Sequence, residues 1–221
     1  MSVTDNITGL LSRIPQGVRL VAVSKFHPVE AVAEAYAAGQ RVFGESRAQE
    51  LAVKVPALPA DIEWHFIGHL QTNKVRAVVP HVSMIQSIDS ERLLHAVDSE
   101  AQRIGRTVDV LLQVHVAAEE TKFGFTPGEL DAIAPAAAAL QGARVVGVMG
   151  MASNTDDTSR IVADFRAIRA CFDRLAAGPF AGRQEFATVS MGMSHDWQIA
   201  VECGSNMVRI GSDIFGERQY F

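Results

Sequence analysis

The sequence predicts an α/β protein that folds as a (β/α)8 TIM barrel. Eight short apolar runs typical of buried strands alternate with segments of helical periodicity along the whole chain. The 221 residues fall near the lower length limit of this fold, roughly 200 residues. Because no Pro- or Gly-rich linker divides the chain, we expect residues 1–221 to form a single domain. The alternative is a doubly wound open sheet, whose Gly-x-Gly-x-x-Gly fingerprint does not follow the first strand.

The predicted elements follow one another in alternation. Strands are expected at residues 19–24, 41–43, 63–67, 84–87, 109–114, 144–149, 186–190 and 207–210. Helices are expected at residues 28–38, 90–104, 127–140 and 156–175. Start and stop signals support the first two helices, since Pro28 and Ser90 open them and Gly39 and Gly105 follow them.

Composition excludes several classes of protein. The net charge is −5 and no basic run is present, so a surface that tracks nucleic-acid phosphates is not expected. The apolar runs are too short to span a membrane, and the polar N-terminus is no secretory signal. The two cysteines, Cys171 and Cys203, give no disulfide framework. We therefore expect a cytoplasmic protein with reduced cysteines and no membrane partner.

The first candidate for chemistry is Lys25, directly after the first predicted strand. Barrel folds place their chemistry at the carboxyl ends of the strands. An amine that is desolvated there has a lowered pKa and can attack carbonyl groups. The alternative is an ordinary lysine that extends from a strand end into solvent.

Two loops predict a phosphate site. Barrel enzymes often bind phosphate after strands seven and eight, and here those loops read Ser-Met-Gly-Met-Ser at 190–194 and Gly-Ser-Asp at 211–213. Small residues let backbone N–H groups approach an anion closely. We also expect Ser194 to cap a helix that begins near His195.

Arg209 lies near the end of the last predicted strand. By the two-residue period of a strand it shares the inward direction of Gly211. A buried arginine needs an acceptor. That acceptor is either a carboxylate, Glu45 or Glu202, or a ligand atom such as a ring nitrogen, and the spacing leaves both open.

An amine, a phosphate site and a cation together suit pyridoxal 5′-phosphate (PLP), which carries an aldehyde, a phosphate and a pyridine nitrogen. The sequence resembles the YggS/PROSC family of PLP-binding homeostasis proteins over essentially its whole length. The resemblance rests on residues 22–25, 43–45, 64–74, 122–124, 190–194 and 207–216. It implies a barrel similar to the N-terminal domain of alanine racemase and a role in vitamin B6 and amino/keto-acid homeostasis.

The resemblance also implies roles for single residues. Lys25 matches the residue that forms a Schiff base with PLP, and Arg209 matches the arginine at the pyridine nitrogen. The cofactor-binding set that we predict is completed by Met149, which lies near the stacked ring, the phosphate-loop residues Ser190, Gly192, Gly211 and Ser212, and also Ser46 and His65.

Two residues depart from the family pattern. Ser46 replaces an asparagine that lies near the cofactor, and His115 replaces another asparagine. We expect both departures to change fine details of the pocket but not the Schiff base. His65 and His69 are four residues apart, but no acidic or cysteine ligands accompany them, so we expect no metal site. We expect His65 to line the pocket mouth or to satisfy a hydrogen bond in the core.

The residues favour a carrier or buffer of PLP over an enzyme. An arginine at the ring nitrogen repels a proton there, which weakens the cofactor as an electron sink. A racemase needs acid and base groups on both faces of its substrate, and the two tyrosines, Tyr36 and Tyr220, are no obvious candidates. A weak amino-acid racemase remains the main alternative, followed by a Schiff-base aldolase and a regulatory binding module. We expect the protein to be a monomer. Its expected partners are PLP-dependent apoenzymes.

Overall fold

Eight parallel strands close into a barrel in the computed structural model, which describes residues 2–116 and 123–216. Each strand pairs with the next in sequence, and the last pairs with the first. The strands are β1 (Arg19–Val23), β2 (Val42–Glu45), β3 (Glu63–Phe66), β4 (Met84–Ile88), β5 (Val108–Val114), β6 (Ala143–Gly150), β7 (Thr188–Ser190) and β8 (Met207–Ile210). The predicted fold class is confirmed, and all eight predicted strands are present with small shifts of their bounds.

Helices cover the outside of the barrel. They are α1 (Val3–Leu11), α2 (Val29–Ala37), α3 (Ala48–Ala57), α4 (Val75–Val78, between 3-10 turns at Thr72–Lys74 and Val79–His81), α5 (Glu91–Arg103), α6 (Pro127–Ala137), α7 (Thr158–Ala177), α8 (Trp197–Glu202) and α9 (Ser212–Phe215). The four predicted helices correspond to α2, α5, α6 and α7. Within the described ranges, no helix combines the length and the apolar character needed to cross a membrane.

The predicted helix cap at Ser194 is wrong. Helix α8 begins at Trp197, and Asp196 occupies its N-cap position. The Asp196 carboxylate accepts a hydrogen bond from the backbone N–H of Met193 at 2.6 Å. This contact folds the preceding residues into a turn, so that Ser194 lies before the helix and lines the site described below.

The barrel interior is built in layers. The lower layer is apolar and contains Val21, Val42, Met84, Leu111, Val146, Met149 and Met207. Two residues further along their strands, Gln86 follows Met84 and Arg209 follows Met207, so both point inward above this layer. The interior therefore changes from apolar to polar toward the carboxyl ends of the strands.

Close approach of β6 and β7 requires glycine at position 147. A Cβ atom at Gly147 would lie 1.8 Å from the carbonyl oxygen of Thr188, its partner on β7. Gly9, inside α1, has nothing within 4 Å of such an atom.

We expect Gly147→Ala to lower the free energy of unfolding by about 1–3 kcal/mol, because the strands must separate to admit the methyl group. Gly9→Ala is the matched control and should raise it by roughly 0.5–1 kcal/mol, the usual gain inside a helix. Urea unfolding of both variants measures the difference. Equal midpoints for Gly147→Ala and the unsubstituted chain would contradict the packing described here.

Candidate functional site

A cavity of about 570 Å³ opens at the carboxyl ends of the strands. Active sites of barrel enzymes lie at this end. Its walls come from β1 and β8 and from the segments that follow β1, β3, β6, β7 and β8. The lining residues are Val23, Lys25, His27, Ile67, Met151, Met193, Ser194, His195, Arg209, Gly211, Ser212 and Gly216.

Four of the predicted cofactor-binding residues lie together in this cavity. Lys25 follows β1, and Arg209 lies on β8 with its side chain lining the cavity. Gly211 and Ser212 follow β8. Strands β1 and β8 are adjacent, with Val21 opposite Arg209. The pairing of the first and last strands thus brings an amine, a guanidinium and a loop of small residues to one place.

Arg209 is buried, with 5% of its surface exposed. Its Nη1 donates to the carbonyl oxygen of Ser190 at 2.9 Å and to Ser190 Oγ at 2.7 Å, and its Nη2 donates to the carbonyl oxygen of Gly150 at 3.1 Å. Neither Glu45 nor Glu202, both within the described chain, forms a salt bridge with Arg209. Of the two acceptors that the sequence left open, the predicted carboxylates are therefore not used.

The hydrogen-bond acceptors of Arg209 are neutral groups, so they do not cancel the positive charge of the guanidinium inside the barrel. Burial lowers the pKa of Arg209 to about 10, a shift that the charge of Asp196 opposes. At neutral pH the side chain remains protonated. The cavity therefore presents a buried positive charge, which favours a ligand that carries a hydrogen-bond acceptor or negative charge at that point.

A chain of hydrogen bonds fixes Arg209 from below. Ser190 Oγ donates to Gln86 Oε1 at 2.7 Å, and Gln86 Nε2 lies 2.8 Å from His65 Nδ1. Because the amide nitrogen donates, His65 Nδ1 accepts, which requires a neutral ring with its proton on Nε2. Burial, and secondarily the charge of Arg19, lowers the pKa of His65 to about 3 and favours the same state.

The other predicted site residues lie outside the cavity lining. Ser190 and His65 belong to the hydrogen-bond chain beneath Arg209. Met149 packs in the apolar layer of the barrel. Ser46 is half-buried, and its backbone lies so close to Gly68 that a Cβ atom there would stand 2.6 Å from the Ser46 carbonyl oxygen. Direct contacts of these four residues with a cofactor stay predictions.

Gly192 has a structural role that the motif alone does not reveal. Its φ is +98°, and a Cβ atom would lie 2.7 Å from Ala200 Cβ on α8. Its carbonyl oxygen accepts a hydrogen bond from the backbone N–H of Arg209 at 3.0 Å. The glycine thus lets the loop after β7 approach both α8 and β8.

Several residues that line the cavity were not among the predicted site residues. Val23 lies two residues before Lys25, and Ile67 lies two residues after His65, so strand alternation could have placed both. His27, Met193 and His195 lie in loops, where no periodic signal exists. Lys122, in the 122–124 motif, and Tyr220 lie outside the described residues.

The two histidines of the 64–74 motif have separate partners. His65 contacts Gln86 inside the barrel, whereas His69 Nδ1 lies 2.7 Å from Asp89 Oδ2. The His69 ring also stacks on Phe123, with 3.9 Å between ring centroids. Of the two uses expected for His65, the hydrogen bond in the core is the one that the structure contains.

Comparison with known proteins gives both a family and a fold. The family model described as "Alanine racemase, N-terminal domain" matches residues 2–219. A protein of Vibrio alginolyticus named "Pyridoxal phosphate homeostasis protein" is 38% identical in an alignment of 213 residues that covers 94% of this chain and 90% of that protein. These matches confirm the resemblance found in the sequence motifs.

Two solved structures share the barrel. PipY of Synechococcus elongatus, with PLP bound, is 37% identical and matches with a TM-score of 0.90 over 97% of this chain and 100% of that chain. Alanine racemase of E. faecalis is 19% identical, with a TM-score of 0.77 over 97% of this chain and 57% of that chain. The second likeness supports the fold alone.

The neutral, buried His65 predicts a loss of stability in acid. Its pKa is about 3 in the folded chain, against an ordinary value of 6.5, so below pH 6.5 the unfolded chain binds the additional proton. Stability therefore falls as pH drops from 6.5, by about 2 kcal/mol at pH 5 from this group. His65→Gln should flatten this slope in urea unfolding between pH 7 and pH 5.

The control for this measurement is His95→Gln, which changes an exposed ring on α5. It should keep the slope of the unsubstituted chain. An unchanged slope in His65→Gln would mean that the pKa of His65 in the folded chain is close to its ordinary value, which would contradict the neutral, buried ring.

Proposed function

Since the chain belongs to the alanine racemase N-terminal domain family, we propose that it binds PLP and serves PLP homeostasis as a carrier or buffer. The observation that carries this proposal is the meeting of Lys25, Arg209, Gly211 and Ser212 in one cavity. A relative named for PLP homeostasis and a similar structure with PLP bound support it. We place this function in the cytoplasm and expect a monomer that delivers PLP to PLP-dependent apoenzymes.

The residues of the cavity fit the groups of PLP. We propose that Lys25 would hold PLP covalently, through a Schiff base between its amine and the aldehyde carbon of the cofactor. Arg209 would donate a hydrogen bond to the pyridine nitrogen. The backbone N–H groups of Gly211 and Ser212 and the Ser212 hydroxyl would bind the phosphate. The apolar side chains of Val23 and Met151 would contact the ring.

The charge of Arg209 supports a carrier over a racemase. A guanidinium at the pyridine nitrogen opposes protonation of that nitrogen, so the bound cofactor accepts electrons poorly. Acid and base groups on both sides of a substrate are also required for racemisation. Tyr36, the tyrosine within the described residues, lies on α2 outside the cavity lining. Its hydroxyl donates a hydrogen bond to the Asp61 carboxylate at 2.7 Å.

We expect borohydride reduction of the PLP-loaded protein, followed by peptide mapping, to find the pyridoxyl group on Lys25. Lys25→Ala should abolish both the adduct and the visible absorption of the bound cofactor. Lys74→Ala, which removes an exposed lysine, should change neither. An adduct on any other lysine would overturn the assignment.

The carrier role needs a second readout. PLP-loaded protein should restore activity to a PLP-dependent apoenzyme, and the Lys25→Ala variant should do so less well because it retains less PLP. Failure to load any of several such apoenzymes would contradict the carrier role. Conversion of L-alanine or L-serine to the D form, lost in Lys25→Ala, would instead establish the racemase.

A further inference from the structure

The turn that carries Lys25 has an unusual backbone conformation. The N–H of His27 donates to the carbonyl oxygen of Ser24 at 3.1 Å and closes a four-residue turn with Lys25 and Phe26 at its centre. Phe26 has φ +65°, in the left-handed region that usually requires glycine. A side chain in this conformation persists only where surrounding contacts enforce it.

Lys54, on α3, supplies one of these contacts. Its side chain is 4% exposed, and its Nζ donates to the carbonyl oxygen of Ser24 at 2.8 Å, to Glu45 Oε1 at 2.6 Å and to Glu50 Oε2 at 3.3 Å. An ammonium group has three hydrogens, which equals the number of these acceptors. Ser24 Oγ also donates to Glu45 Oε1 at 2.6 Å. The residue before Lys25 is thus fixed through both its carbonyl and its hydroxyl group.

Glu50 supplies the contact on the other side of Lys25. Its Oε2 accepts the backbone N–H of Phe26 at 2.8 Å. The guanidinium of Arg47 lies over the Phe26 ring, 4.4 Å from its centroid. Both neighbours of Lys25 are therefore bound to groups that lie outside the cavity lining.

The burial of these charges is costly for a purely structural contact. Glu45 is fully buried, and its Oε2 has no hydrogen-bond partner among residues 2–116 and 123–216. Desolvation raises the pKa of Glu45, an effect that Lys54 opposes. Buried ion pairs add little net stability compared with apolar residues of similar size. Their position beside Lys25 gives a reason for them other than stability.

We propose that Lys54, Glu45 and Glu50 are positioning residues for Lys25. They enforce the turn at Phe26 and thereby direct the Lys25 amine into the cavity, without contacting the ligand themselves. The proposal deepens the function proposed above, on which its ligand-binding part rests.

The test compares variants of α3 with a distant control. Lys54→Met and Glu50→Ala each remove a contact to the turn, whereas Glu50→Gln retains an oxygen acceptor for the Phe26 N–H. Asp98→Asn is the control, since the Asp98 carboxylate is also buried and accepts the backbone N–H groups of Gly142 and Ala143 at the start of β6. It should lower stability without reaching Lys25.

Two measurements are made on the full chain. In the PLP-free protein, hydrogen exchange of the segment 24–28 should become about tenfold faster in Lys54→Met and Glu50→Ala, as expected for one lost charge-assisted hydrogen bond. The affinity for PLP should fall by a similar factor. Glu50→Gln should keep an exchange rate and a PLP affinity close to those of the unsubstituted protein. Asp98→Asn should also match the unsubstituted protein in both quantities.

Unchanged exchange and PLP affinity in Glu50→Ala, or equal changes in Asp98→Asn, would overturn the proposal. The Glu50 variants decide the matter if Lys54→Met does not fold, because Glu50 is partly exposed. If the unsubstituted protein forms no adduct at Lys25, the proposed function fails. Exchange in the PLP-free protein then still decides whether these residues hold the turn.

Discussion

The site depends on one buried cation, Arg209. Its guanidinium lies inside the barrel among neutral acceptors, the carbonyl oxygens of Ser190 and Gly150 and the Ser190 hydroxyl. Dipoles of this kind orient the side chain without cancelling its charge. The chain of bonds through Gln86 to a neutral His65 extends the same arrangement across the barrel. A protonated His65 would break this chain, and burial prevents that protonation.

The closure of the barrel relates this cation to the amine. Because β1 and β8 pair, Lys25 and Arg209 stand at neighbouring strand ends and contribute to one cavity. Each is held by a different device. Strands β6 and β7 supply the acceptors of Arg209, whereas α3 supplies the charged groups around the Lys25 turn. Lys25 and Arg209 are therefore held in position by separate parts of the fold.

Local patterns in the sequence were sufficient for the barrel and for four of the residues that line the cavity. Apolar runs place Lys25 after β1, and the turn residues Gly211 and Ser212 follow β8. The partners of Arg209 could not be predicted, because Gly150 and Ser190 become its neighbours only when the barrel closes. The Ser194 cap failed for a similar reason, since Asp196 binds the loop backbone instead.

The cluster around Lys54 also could not be predicted from the sequence. Glu50 and Lys54 are four residues apart on α3, a spacing typical of an exposed helical ion pair. Only the packing of α3 against β2 and the segment after β1 buries Lys54 and brings its side chain to Ser24 and Glu45. A charge pattern in a sequence does not reveal which side of a helix the fold covers.

We propose that Arg209 donates a hydrogen bond to the pyridine nitrogen of bound PLP and keeps that nitrogen unprotonated. The most direct test is the ¹⁵N chemical shift of PLP labelled at that nitrogen and bound to the full chain at neutral pH. We expect the shift of an unprotonated, hydrogen-bonded pyridine, which moves on Arg209→Gln. A chemical shift typical of pyridinium in the unsubstituted protein would show that the nitrogen is protonated and would contradict the proposed role of Arg209.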